Sequence, residues 1–223
     1  MSNEITVDAE SIKKSAEDLV DLIKLRTFPF GMKLFKNVDD MLAIKGLRTP
    51  SDGKFFTTCQ LVTQVRTAGF TLGIVQNNLR PGSSCGANIG LEIVPEDVSS
   101  GERMTGVWFG NQEAAAEHQA QMPRVEAGKY TGLAASPLRS GRLDPPDICL
   151  FYASPGQMIL FINGLQYHNY RRDDFTLTGE SACADSWGRA LSTRETSRLS
   201  SSFIHRVSSL FSLEKEVLSV KTK

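Results

Sequence analysis

Several things are missing from this 223-residue chain, and each absence removes a class of function. It has no basic surplus. Its 25 Lys and Arg balance 25 Asp and Glu, so nucleic acid is a poor default partner. No apolar run approaches the ~18–20 residues that cross a bilayer, so no membrane partner is expected. Met1-Ser2-Asn3-Glu4 lacks the basic-then-apolar pattern of a secretory signal. The expectation is therefore a cytosolic (cytoplasmic) protein. Cytosolic thiols stay reduced, and cysteines there are more often buried, catalytic or metal-bound than paired. The chain also lacks a Walker loop, a G-x-G-x-x-G fingerprint, an H-E-x-x-H pair and a G-x-S-x-G elbow. Those absences argue against the common nucleotide enzymes, zinc proteases and serine hydrolases.

What is present is a cysteine pattern that occurs twice. One copy runs from Phe70-Thr71-Leu72-Gly73-Ile74 to Cys85-Gly86-Ala87-Asn88-Ile89-Gly90. The other runs from Phe175-Thr176-Leu177-Thr178-Gly179 to Cys183-Ala184-Asp185-Ser186-Trp187-Gly188. Each reads as a strand, a polar turn, a cysteine, a small residue, and glycine five positions after the cysteine. Both cysteines are expected to open short helices.

Apolar content of 40% against 22% charged supports a packed core rather than disorder. Periodicity and caps give the expected elements. These are a helix from about Asp8 to Leu25, a strand at Phe30–Phe35 and a helical turn at Asp39–Ile44. A helix at Cys59–Ala68 ends at Gly69, and a strand follows at Phe70–Val75. The middle carries strands at Met104–Phe109 and Tyr130–Ala135 around a helix capped by Asn111. The clearest interior boundary is Leu138–Pro146. A strand then covers Asp147–Ala153, and Ser154-Pro155 starts a helix to Tyr167 or His168. The expected fold class is α/β: two pseudo-repeated strand-helix-strand halves, about 1–104 and 105–191, form one domain around a parallel or mixed sheet. From Ser192 to Lys223 the chain turns Ser-rich, and Ser202–Leu218 reads as an amphipathic helix or a loosely docked tail.

Four cysteines are available. Cys149 sits in an apolar strand and reads as a buried small hydrophobe. Cys59, Cys85 and Cys183 all lie near expected helix starts, where first-turn amides and the helix dipole stabilise a thiolate. Three such thiols suit an iron–sulfur cluster with one iron left open, since thiolates are the usual ligands. Without a C-x-x-C pair, the fold has to bring them together. His118 and His168 read as a solvated residue and a helix-end residue, not as zinc ligands. Lys33 reads as a solvent-facing strand residue and Asp185 as a helix cap. The Arg80-Pro81-Gly82-Ser83-Ser84 stretch reads as a surface loop, with anion binding as the alternative.

Further stretches carry a resemblance. They are Pro29-Phe30-Gly31-Met32-Lys33-Leu34-Phe35, Cys59-Gln60, Ser84-Cys85-Gly86-Ala87 with Gly90-Leu91, and Pro123-Arg124 with Gly128-Lys129-Tyr130. They continue through Ala135-Ser136-Pro137-Leu138, Pro146-Asp147-Ile148, Pro155-Gly156-Gln157-Met158 and Gly179-Glu180-Ser181-Ala182-Cys183. From about Leu22 to Arg189 the chain resembles the uncharacterised ArCR family, domain of unknown function 169. The resemblance implies a prokaryotic protein, often from anaerobic lineages, without an established reaction. Cys59, Cys85 and Cys183 fall on the family's recurrent cysteine positions. Family members continue past the last of these into a segment with a further cysteine and arginines, which Ser192–Lys223 does not resemble.

The expectation is thus a protein that holds an iron–sulfur cluster through Cys59, Cys85 and Cys183, whose open iron binds a small anionic ligand. A cofactor-free small-molecule binding protein or thiol-dependent enzyme using the same cleft is the alternative. A homo-oligomeric structural or accessory module is the third reading.

Overall fold

The computed structural model describes residues 9–168, 170, 183–193, 200–202 and 206–212. Local signals set most of its helix starts. Helix α1 spans Ala9–Ile23 and α2 spans Val38–Leu42. In α3, Thr58–Ala68, the cap is Thr57. The Thr57 hydroxyl accepts from the Gln60 amide at 3.1 Å, and Gln60 Oε1 accepts from the Thr57 amide at 2.8 Å. Gly69 ends the helix with φ 74°, a conformation glycine adopts without a Cβ penalty. Removing the reciprocal cap by Thr57→Ala is expected to cost about 1 kcal/mol, seen as a lower urea midpoint at unchanged slope.

Short helices α4 (Cys85–Asn88) and α5 (Glu96–Ser99) follow, then α6 (Gln112–Ala120), capped by the Asn111 side chain. Helix α7, Pro155–Gln166, opens with a second reciprocal cap between Ser154 and Gln157. Gln157 Nε2 also donates to the Ile23 and Lys24 carbonyls, at 2.8 and 2.6 Å, and ties the end of α1 to the start of α7. A π-helical turn at Ala184–Gly188 runs into α8, Arg189–Thr193.

The strands are β1 (Phe30–Phe35), β2 (Leu72–Val75), β3 (Gly132–Pro137), β4 (Ile148–Ala153), β5 (Ser200–Ser202) and β6 (Arg206–Ser212). They form one sheet in the order β2-β3-β1-β4-β6-β5. Every neighbouring pair is antiparallel. The expected parallel or mixed sheet is therefore corrected. The physical reason lies in strand interleaving. β1 and β2, joined through α3, do point the same way, but β3 lies between them and opposes both. Likewise β1 lies between β3 and β4. A strand-helix-strand order in sequence does not make its two strands neighbours.

The two-halves repeat is corrected for the same reason. β1, from the first half, is central and flanked by two strands of the second, while β2 is an edge strand. The strand expected at Phe175–Thr178 lies outside the described residues. Met104–Phe109 is not a strand but a set of turns, with Gly106 at φ 76° and exposed Val107 and Trp108. The backbone at Arg206–Ser212 pairs with β4 as a strand, where the apolar spacing suggested a helix or loose tail.

The register sorts side chains onto two faces, because successive strand residues alternate. On one face Phe30, Met32, Leu34, Leu72, Ile74, Leu133, Ala135, Ile148 and Leu150 pack with Leu61, Val62 and Val65 of α3 and with Trp187, Ala190 and Leu191. On the other, Phe151 and Ala153 meet Leu25 and Met158, with Leu19, Val20 and Ile23 of α1 and Phe161 and Ile162 of α7 against them. Ala134 meets Met41 and Leu143 there. The molecule is thus helix, sheet, helix, and the cysteine-bearing elements belong to the α3 side.

Candidate functional site

Three elements converge at one end of the α3 layer. Cys59 is the second residue of α3, Cys85 opens α4, and Cys183 precedes the π-helical turn. The α3 and α4 starts are tied together by the Thr58 hydroxyl, which donates to the Cys85 carbonyl at 3.4 Å. The Cys59 thiol lies within interaction range of both other thiols, Cys183 and Cys85. All four cysteines are free, with Cys59 exposed and Cys85 and Cys183 half-buried.

The contacts divide the protons unequally. Hydrogen bonds to Cys183 and then Cys85, together with burial, hold the Cys59 thiol protonated far above the ordinary range. Cys85 is lowered to about 6, mainly because the Cys59 thiol donates to it. Burial opposes that shift, while the Thr58 amide and the Ser83 hydroxyl assist it. Cys183 is also lowered, first by Cys59 against burial, with help from Asn88 and the Ala184 amide. Asn88 is buried, and its Nδ2 donates to Cys183 Sγ at 3.6 Å. One protonated thiol therefore sits between two sulfurs whose anionic forms are stabilised. Such sulfurs are the nucleophiles and metal ligands of proteins.

The surroundings add charge and an aromatic wall. Burial raises the hydroxyl of Tyr152, on the same sheet face, to about 12, against the pull of the Arg66 charge. Arg66, two turns along α3 from Cys59, lies 4.2 Å over the Tyr152 ring. Glu92 approaches from the far side of α4, its own carboxyl raised by burial, and its charge disfavours the Cys85 thiolate.

The two glycines that follow the cysteines by five have a shared purpose. A Cβ on Gly90 would stand 2.7 Å from the Glu126 carbonyl oxygen, and one on Gly188 would stand 3.0 Å from that of Pro123. Segment 123–126 thus lies against both cysteine turns. It is also tied to the first by Val125 N–H donating to the Asn88 carbonyl at 3.3 Å.

Other sequence candidates lie elsewhere. Cys149 is buried on the opposite sheet face, and burial raises it to about 12. Lys33 is also on that face, 5.9 Å from the Phe35 ring centre. The cap position of the π-helical turn belongs to Cys183 and not to Asp185. Asp185 is buried and lines a cavity of about 300 Å³ with Glu117, His118 and Arg189. His118 packs at a tilt of 41° against Phe109, ring centres 4.9 Å apart, and His168 is exposed beside Tyr167. Tyr152, Arg66 and Glu92 carried no sequence signal as parts of the site, whereas Ser83 lies in the loop weighed for anion binding and Asn88 stands three residues after Cys85 in the repeated pattern.

Among the described residues, no group of three or more His, Cys, Asp or Glu side chains is arranged to hold a metal ion. No described helix is long and apolar enough to cross a membrane.

The family model for the uncharacterised ArCR proteins, domain of unknown function 169, matches residues 18–205. The chain belongs to this family. The match contains all three converging cysteines of this ArCR protein. It also runs past Ser192 to residue 205, beyond the point where the motif resemblance stopped. No curated protein and no solved structure matches the chain.

Proposed function

We propose that this ArCR protein binds a soft metal cofactor, an iron–sulfur cluster, through Cys59, Cys85 and Cys183. The observation that carries the reading is the contact of the Cys59 thiol with both other thiols, from three separate elements. The donor set suits the group, because thiolates are the standard cluster ligands. In a cluster each thiolate bonds its own iron, so the three need a shared hollow rather than one common metal position. A cluster held by three protein thiolates leaves one iron to take a small anionic ligand. In this chain the protein's part is to hold two sulfurs anionic, to orient Cys183 through Asn88, and to wall the site with Tyr152.

The test is anaerobic reconstitution of the full chain with ferrous iron and sulfide, followed by desalting. The expected product is brown, absorbs broadly near about 400 nm and retains iron. Cys183→Ala and Cys85→Ala are expected to lose that iron, while Cys149→Ala keeps it. A wild-type chain that stays colourless and iron-free overturns the reading.

A thiol-dependent enzyme is the second reading, favoured by the lowered Cys85 thiol beside Ser83. An iron-free protein in which a substrate analogue traps Cys85 covalently would select it.

A further inference from the structure

The same cluster has a chemistry that needs no metal. We infer that hydrogen peroxide converts the metal-free site into an intramolecular Cys59–Cys85 disulfide, which closes the site to its cofactor. The inference concerns regulation of the site proposed above and rests on that reading only for its consequence.

Thiol oxidation in a folded chain yields a disulfide when a second thiol already stands beside the first, without backbone movement. Cys59 lies within interaction range of two other thiols, and its residue is the most exposed of the three. The backbone at Cys85 is tied directly to the start of α3, because the Thr58 hydroxyl donates to the Cys85 carbonyl at 3.4 Å. Cys183 is instead engaged by the buried Asn88 amide. Cys149 lies on the opposite sheet face and takes no part.

The steps balance. One cysteine of the pair, as its thiolate, attacks a peroxide oxygen. The O–O bond breaks, and hydroxide leaves and takes up a proton as water. The sulfur now carries a hydroxyl as a sulfenic acid. The other thiol attacks that sulfur, the S–O bond breaks, and the oxygen leaves as a second water with the attacking thiol's proton. Two thiols lose two electrons and peroxide gains them. The product has lost two of the three proposed ligands, so iron uptake waits on reduction.

The experiment treats reduced, metal-free full-length protein with hydrogen peroxide, counts free thiols and maps peptides without reduction. The four free thiols are expected to fall to two within one chain, with Cys59 and Cys85 in one linked peptide. Cys149→Ser is expected to leave the linkage intact. Cys59→Ser abolishes the linkage and sends Cys85 on to its sulfinic acid. Persistence of all thiols, a bond between two chains, or a Cys59–Cys183 linkage overturns the inference. Iron uptake by reduced and oxidised samples is read separately. A chain that makes the disulfide but takes no iron in either state sinks the cluster reading alone. A chain that takes iron when reduced and makes no disulfide sinks this inference alone.

Discussion

Gly90→Ala melts about 6–12 °C below the wild type, the shift expected for a loss of roughly 3 kcal/mol in a domain of this size. Two costs add. Gly90 has φ 75°, the left-handed region, where a side chain costs about 1–2 kcal/mol. The new methyl would also stand 2.7 Å from the Glu126 carbonyl oxygen and 2.8 Å from Val125 Cγ1. A backbone carbonyl cannot swing aside as a side-chain tip does, so the overpacking costs a further 1–3 kcal/mol or so. Gly82→Ala separates the two. Gly82 has φ 71° and nothing within 4 Å of its would-be Cβ, so only the conformational cost of about 1–2 kcal/mol applies. Calorimetry of both variants checks this. Equal melting temperatures for the two would show that segment 123–126 does not press on the Cys85 turn. Because that segment also abuts Gly188, the Gly90 variant is further expected to weaken iron retention in reconstituted protein.

Alkylation of Cys85 slows only about twofold between pH 9 and pH 6, whereas an ordinary thiol slows by about 500-fold over the same range. The arithmetic follows from the protonation states. A thiol with the ordinary value of 9.0 is half ionised at pH 9 and about one part in a thousand at pH 6. Cys85, lowered to about 6, is fully ionised at pH 9 and still half ionised at pH 6. Comparing each thiol with itself removes the effect of its partial burial. Cys59→Ala removes the leading cause, the thiol donor, and is expected to restore part of the steep pH dependence. Cys149, raised to about 12 by burial, stays unmodified throughout. Iodoacetamide labelling with peptide-resolved mass spectrometry reads all of this. A wild-type Cys85 rate that falls more than 100-fold would show that the cluster does not hold a thiolate.

The stability linkage of Cys85 has the sign of a depressed acid. Its contribution is present above the ordinary value of 9.0 and is lost as pH falls through about 6. Cys59, held protonated, carries the opposite sign at high pH, because unfolding there releases a thiol free to ionise. The two together place the site's most favourable contribution near the ordinary thiol value of 9.0, with only part of it present at neutral pH.

Local features were legible in the residues. The Phe30–Phe35 strand, the Gly69 stop, the Asn111 cap and the Ser154-Pro155 start all depend on neighbours a few positions away, and they form as read. The resemblance, too, rested on short motifs that survive without three-dimensional information, and the family match agrees with it. The cysteine turns were visible as a pattern, but its cause was not. The repeated glycines suggested duplicated halves. In the fold they are two places where one distant segment, 123–126, needs room.

By itself, then, the sequence determined the caps at Asn111 and Ser154, the Phe30–Phe35 strand, the family and which cysteine would be buried in an apolar strand. Only the tertiary structure decided that β3 inserts between β1 and β2, that the sheet is antiparallel, and that Cys59 stands between Cys85 and Cys183. The division has one physical origin. Helix caps and turns draw their energy from hydrogen bonds spanning three or four residues. Strand neighbours and thiol contacts are chosen by burial among residues tens of positions apart, which no local pattern encodes.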